Sequence, residues 1–206
     1  MSFRVAVLIS GEGSNLQALL DTVHGQDGIE IVAVAASRAE ARGLARAEAA
    51  GVETAVFALA DQPDRELRDE ALGDWLDERE ARLVVLAGFM ELLTPAFIRR
   101  FAGRIVNVHP ALLPAFPGLG AIEQALEHGV KVAGVTVHFV DEGVDSGPIV
   151  LQESFDLAYD RDIAAIEERF HEVEHRLLPR AVRLIAAGRV QVDEGNPRLV
   201  RVDSDD

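Results

Sequence analysis

The sequence predicts an α/β fold: a seven-stranded, mostly parallel sheet with helices on both faces, in a single domain. Three observations carry this. Short β-branched runs alternate with charge-rich helical stretches for most of the chain, the pattern of βαβ units. Several of the runs are apolar throughout, as strands covered on both faces are. Hydrophobic residues make up 49% of the 206, enough for one well-packed core at this length.

The elements follow in order. Phe3–Ser10 is an apolar strand that runs into the turn Gly11-Glu12-Gly13, and Asn15–Val23 is a helix with Leu16, Leu19, Leu20 and Val23 on one face. Strand Glu30–Ser37 precedes helix Ala39–Ala50, and strand Thr54–Leu59 precedes the charge-rich helix Asp64–Arg79. Strand Leu83–Ala87 leads to a short helix, Pro95–Phe101, opened by its proline. Ile105–His109 is a strand ended by Pro110, after which come helix Ala121–His128 and strands Gly134–Val140 and Ile149–Phe155. The Ala/Glu/Arg/Leu stretch Ile163–Ala187 is the longest helix, and Pro179 inside it predicts a kink or a fresh turn. Residues 1–190 read as the domain, and 191–206 as a short C-terminal strand and an acidic tail.

Composition removes whole classes of function. Acidic residues number 35 and basic ones 20, so the net charge of −15 disfavours nucleic acid and anionic membrane. No cysteine is present, which rules out disulfides, thiolate-bound metals and thiol nucleophiles. The apolar run at the N-terminus is too short for a signal-peptide core or a membrane span, and a soluble cytoplasmic protein is expected.

Two places concentrate polar chemistry. Gly11, Glu12, Gly13, Ser14 and Asn15 join the first strand to a helix start, where backbone N–H groups and the helix dipole favour an anion. Leu16 stands where a dinucleotide fingerprint needs a third glycine, and no Walker lysine follows, so the turn suits one phosphate. Ser14 or Asn15 capping the helix would account for the same turn without a ligand. In the strand Ile105–His109, Asn107 and His109 project from one face, about 7 Å apart. Pro110 places His109 at the carboxyl edge of the sheet, where open α/β sheets bind ligands. A strand histidine can equally be a satisfied core residue. Downstream, Asp141 to Pro148 form a carboxylate-rich loop in which Asp145 could be mere turn chemistry. Amide, imidazole and carboxylate together suit acyl or formyl transfer to an amine: Asn and protonated His donate to the oxyanion, while Asp orients the imidazole and takes the surplus proton.

The runs Val7 to Ala18, Val84 to Met90, Asn107 to Pro114 and Val137 to Ile149 resemble the phosphoribosylglycinamide formyltransferases, a folate-dependent family of purine biosynthesis. The resemblance covers residues 3 to about 190 and implies a Rossmann-like domain. It implies transfer of formyl from 10-formyltetrahydrofolate, a co-substrate, to the amine of 5-phosphoribosylglycinamide, with no metal. It puts catalysis on Asn107, His109 and Asp145, the substrate phosphate on Gly11 through Asn15, and the glycinamide on Glu174. Folate falls to Arg65, Met90, Glu91, Leu92, Leu93, Asn107, Asp141, Glu142, Gly143 and Val144. Two departures are visible: Gly120-Ala121-Ile122 stands where relatives carry a loop histidine, and Glu91 where they are often basic.

Rival readings remain. His171-Glu-Val-Glu-His175 satisfies the zincin pattern, although no third ligand follows at the usual spacing and a Glu/Arg-rich helix makes such matches by accident. The same catalytic core would serve a formyltetrahydrofolate deformylase, which passes formyl to water, or a methionyl-tRNA formyltransferase. From the length, neither an extra N-terminal regulatory domain nor a C-terminal RNA-binding domain is expected, and the charge opposes tRNA. A phosphoribosyl-binding module without turnover is the non-enzymatic alternative. The partners expected are the two small-molecule substrates, with no nucleic acid and no membrane, acting on a monomer or homodimer.

Overall fold

The computed structural model describes residues 2–157 and 163–203. Its strands are β1 (Phe3–Ile9), β2 (Ile29–Ala36), β3 (Glu53–Val56), β4 (Leu83–Leu86), β5 (Ile105–His109), β6 (Val132–Phe139), β7 (Ile149–Asp156), β8 (Val190–Val192) and β9 (Val200–Val202). The helices are α1 (Ser14–Thr22), α2 (Gly43–Ala49), α3 (Arg65–Glu78), α4 (Pro95–Arg100), α5 (Ala121–His128) and α6 (Ile163–Ala186). Seven strands form one sheet in the order β3-β2-β1-β4-β5-β6-β7, so the α/β class with a mostly parallel sheet is as the sequence predicts. By its internal contacts the chain divides into two compact units, residues 1–107 and 108–206.

In the first unit β1 pairs in parallel with β2 and β4, β2 with β3, and β4 with β5. Val5 to Ile9 are wholly buried, as the unbroken apolar run requires of a central parallel strand. Strand order reverses between β1 and β4, and ligands of such sheets bind outside the carboxyl ends of strands at that switch point. Two expected boundaries move by three residues or more. Helix α2 starts at Gly43 rather than Ala39 because tertiary bonds hold the preceding turn: Arg38 Nε donates to the Ser10 carbonyl at 2.5 Å and Gly43 N–H to Gly11 at 3.1 Å. Strand β3 stops at Val56, opposite the last residue of β2, and Leu59–Asp61 coil into a 3-10 turn.

In the second unit β6 and β7 are antiparallel, and α6 packs on both. Ile166, Phe170, Val173, Leu177, Ala181 and Val182 are buried along α6 at helical spacing. Phe170 meets Phe155 of β7 edge-on, with centroids 5.0 Å apart. The helix runs on through Pro179 to Ala186. The C-terminal segment pairs β8 with β9 in an antiparallel hairpin. No helix of the described residues is long and apolar enough to cross a membrane.

Candidate active site

In the first unit, β1 ends at Ile9 and the chain turns through Gly11-Glu12-Gly13 into α1. Gly13 is the N-cap, in the left-handed region at φ +72°, and no side chain caps the helix. The N-cap role considered for Ser14 and Asn15 is therefore taken by neither, and the first-turn N–H groups receive no side-chain oxygen from the cap. A Cβ at Gly13 would lie 2.6 Å from the Gly43 Cα, so glycine is required here for packing against α2 as well as for its φ. Glu12 places a negative charge on this turn, and Arg42 answers it at 3.1 Å; Arg46 Nε donates to the Glu12 carbonyl at 2.9 Å.

At the end of β4 the chain leaves through Gly88 into Phe89–Leu93. The Met90 N–H donates to Ser10 Oγ at 2.8 Å, so this segment is tied to the end of β1. Met90 and Leu92 are 65% and 59% exposed, far more than long apolar side chains ordinarily are in a folded core. Arg65, exposed at the start of α3, lines a cavity of about 460 Å³ together with Leu59, Gln62, Leu93 and Pro95. Arg65 and Leu93 thus border one space, while Glu91 is half-buried nearby in sequence. Asn107, half-buried on β5, closes this unit.

In the second unit His109 is buried, 5% exposed, at the carboxyl end of β5. Its Nδ1 lies 3.4 Å from Asp145 Oδ2, and its Nε2 is 2.8 Å from the Phe116 carbonyl oxygen. Asp145 has φ +48°. Its Oδ2 also accepts the Gly118 N–H at 2.7 Å, and its Oδ1 faces His138 Nε2 at 3.6 Å. Burial pushes the Asp145 carboxyl up. The nearby His138 imidazole, the Gly118 N–H and the His109 imidazole pull it down further, so it stays below the ordinary carboxylate range. An ionised carboxylate lies between two imidazoles, one of them at a sheet edge.

The loop that carries Asp145 is braced from within. Asp141 Oδ1 accepts from Ser146 Oγ at 2.7 Å and from the Gly143 N–H at 3.1 Å, while Glu142, Gly143 and Val144 are exposed. Glu174 is buried on α6, 7% exposed. On the same helix the rings of His171 and His175 stack 5.9 Å apart at 8°. Among the described residues no group of three or more His, Cys, Asp or Glu could hold a metal ion.

Residues 3–182 match the formyl transferase family. The chain belongs to that family. It is 41% identical over 192 residues to phosphoribosylglycinamide formyltransferase of Haemophilus influenzae, covering 93% of this chain and 91% of that one. It is 43% identical over 203 residues to the trifunctional purine biosynthetic protein adenosine-3 of Bos taurus, covering 98% of this chain and 20% of that protein. The chain spans a fifth or less of the length of the trifunctional relatives it matches. The crystal structure of glycinamide ribonucleotide transformylase 1 from Symbiobacterium toebii superposes with a TM-score of 0.92 at 46% identity, covering 98% of this chain and 94% of that one.

Within this formyl transferase, the geometry brings His109 and Asp145 together and adds a partner the sequence reading passed over. His138 is 2% exposed on β6, with its Nδ1 2.8 Å from the Phe139 carbonyl oxygen. A signal was available: Thr136 and His138 are a polar pair two residues apart in an apolar strand, the same spacing that singled out Asn107 and His109.

Proposed function

We propose that this chain transfers the formyl group of 10-formyltetrahydrofolate to the amine of 5-phosphoribosylglycinamide, a step of purine biosynthesis. The observation that carries the reading is the ionised Asp145 held against His109 at 3.4 Å. The amine nitrogen attacks the formyl carbon, and the carbonyl oxygen becomes an oxyanion. His109 Nδ1 faces the carboxylate, so Nε2 is the nitrogen that donates to that oxygen, on leaving the Phe116 carbonyl. Asn107, two residues back on β5, supplies a second donor. Collapse expels N10 of the folate, which takes a proton, while the amine loses one to the Asp145–His109 pair, directly or through water.

The first unit takes the substrate phosphate on the uncapped N–H groups after Gly13, with Ser14 and Asn15 opening the helix. Glu174 takes the glycinamide. In the first unit folate lies on Met90–Leu93, with Arg65 toward its carboxylates. The ligands are small molecules, no nucleic acid among them, and the protein works in the cytoplasm as a monomer or homodimer. Incubating pure protein with 10-formyltetrahydrofolate should release tetrahydrofolate only when phosphoribosylglycinamide is added. Release of formate from folate alone would make it a deformylase, and binding of both ligands without turnover would make it a binding module; either result overturns the reading.

A further inference from the structure

Helix α3 carries, one turn beyond Arg65, a charge that the core encloses completely. Arg68 is 0% exposed and its neighbour Asp69 2%. Asp69 Oδ1 lies 2.5 Å from Arg68 Nε, and Asp69 Oδ2 accepts the Thr94 N–H at 2.6 Å. Arg68 Nη2 donates to the Leu92 carbonyl at 3.2 Å, and its guanidinium carbon is 5.7 Å from the centre of the Phe89 ring. Arg68 Nη1 is buried with no hydrogen-bond partner among the described residues. With the Ser10 bond to the Met90 N–H, alternate peptide groups at 90, 92 and 94 are held by side chains. The side chains of Met90 and Leu92 meanwhile remain exposed. Thr94 is fixed a second time, since its Oγ1 caps α4 by accepting the Phe97 N–H at 3.3 Å.

A buried ion pair is a poor device for stability alone, because desolvation offsets most of the attraction and an apolar pair of similar volume often does as well. What it supplies that leucine cannot is direction: a planar fork and a carboxylate fix a carbonyl and an N–H at defined angles. We propose that Arg68 and Asp69 are positioning residues for the folate. They set the Met90–Leu93 main chain in the register that presents its donors and acceptors to the pterin edge. The inference rests on the reading that places folate on this segment. Neither residue touches the ligand or the reacting atoms, so their influence falls on folate affinity and leaves the phosphoribosyl substrate alone.

The test is Arg68→Lys, which keeps the charge and loses the fork, and Arg68→Met combined with Asp69→Asn, which removes the charges and keeps an acceptor for Thr94. Tetrahydrofolate binding is measured by calorimetry, KM for phosphoribosylglycinamide by steady-state kinetics, and folding by circular dichroism. Both variants should weaken tetrahydrofolate by about tenfold or more, as a displaced main chain would, with KM for the phosphoribosyl substrate unchanged. A folded variant that binds tetrahydrofolate as the parent does, or that weakens both ligands equally, overturns the proposal. If Arg68→Lys does not fold, the double variant, in which no charge is buried unpaired, decides alone. Leu92→Asp is the control on the underlying reading: if a charge on that exposed side chain leaves tetrahydrofolate binding intact, folate does not lie there and the inference falls with its premise.

Discussion

Asp145 accepts the main-chain N–H of Gly118 at 2.7 Å through the oxygen that also faces His109. The carboxylate therefore has two duties: it fixes the loop after β5 and it supplies charge to an imidazole. Replacing Asp145 by Asn separates them. The carboxamide oxygen can still accept from Gly118, but its NH2 must then turn toward an imidazole, and the charge is gone. Turnover should fall by roughly 10²–10⁴, the range of general acid–base groups, while both ligands still bind. Adding His109→Ala should cost far less than the product of the single effects, because the two act as a unit. Single-turnover kinetics with calorimetric binding of each ligand checks this; parental turnover in a folded Asp145→Asn protein would remove the acid–base role.

The same residue sets a pH dependence. Its carboxyl is held below the ordinary range when folded, so the folded chain releases this proton more readily than the unfolded chain. The stabilisation is fully present above the unfolded carboxylate pKa of about 3.9 and disappears as pH falls through the lower folded value. Urea midpoints measured down through that window should decline less steeply for Asp145→Asn than for the parent.

His175 acts at a different pH. Burial, and then the nearby His171, push its imidazole below the ordinary value, so the folded state resists its protonation. Stability is unaffected well above the unfolded pKa of about 6.5 and declines as pH falls from there toward the lower folded value, because only the unfolded chain takes up the proton in that interval. His175→Gln should flatten this decline in urea titrations. Dialysis against a chelator should leave the unfolding midpoint unchanged, since stacked rings with a buried Nε2 do not converge on an ion. Loss of stoichiometric zinc together with a lowered midpoint would contradict that.

Sequence pattern made much of this fold legible for a physical reason: the central parallel strands β1, β2 and β4 are buried and carry apolar runs. Boundaries failed where bonds between distant residues decided them, as when Arg38 and Gly43 reach the β1 turn and delay α2. Arg68 and Asp69 were hidden in a charge-rich helix. The spacing Arg68, Leu72, Leu76 puts that arginine on the buried stripe, but no local rule tells a buried guanidinium from one that snorkels to water. In the candidate site, His109 was singled out by edge position and Asp145 by residue type, and the structure brings the two within 3.4 Å. His138 was not singled out, although its spacing from Thr136 repeats the β5 pattern.

At the turn proposed to take the phosphate, side chain and backbone can be tested apart. Gly13→Ala meets a positive φ and the Gly43 backbone, so it should destabilise the fold by roughly 1–3 kcal/mol and cannot report on phosphate alone. Glu12→Gln can. Glu12 and its partner Arg42 are both exposed, so the ion pair is screened and contributes little stability. Removing the negative charge should lower KM for the phosphorylated substrate at low ionic strength, with the gain shrinking as salt is added. A KM independent of Glu12 at every salt concentration would place the phosphate elsewhere.

Thr136 is fully buried on β6. Its Oγ1 donates to the Ala111 carbonyl at 2.6 Å and accepts the Leu113 N–H at 3.1 Å and Gln152 Nε2 at 2.9 Å. Gln152, opposite it on β7, also donates to the Leu113 carbonyl at 2.9 Å. These bonds anchor the start of the loop whose later residues, Phe116 and Gly118, bond to His109 and Asp145. Thr136→Val keeps the volume and removes the hydroxyl, leaving the Ala111 carbonyl and the Leu113 N–H buried without it. Each unsatisfied group costs about 1–3 kcal/mol, so chemical denaturation should show a loss of that order. Because the loop also holds the proposed acid–base pair, turnover should fall beyond what the loss of folded protein explains. Thr136→Ser, which restores the hydroxyl and lacks only a methyl, should recover both; recovery of stability without turnover would show that the anchor is structural and does not tune His109.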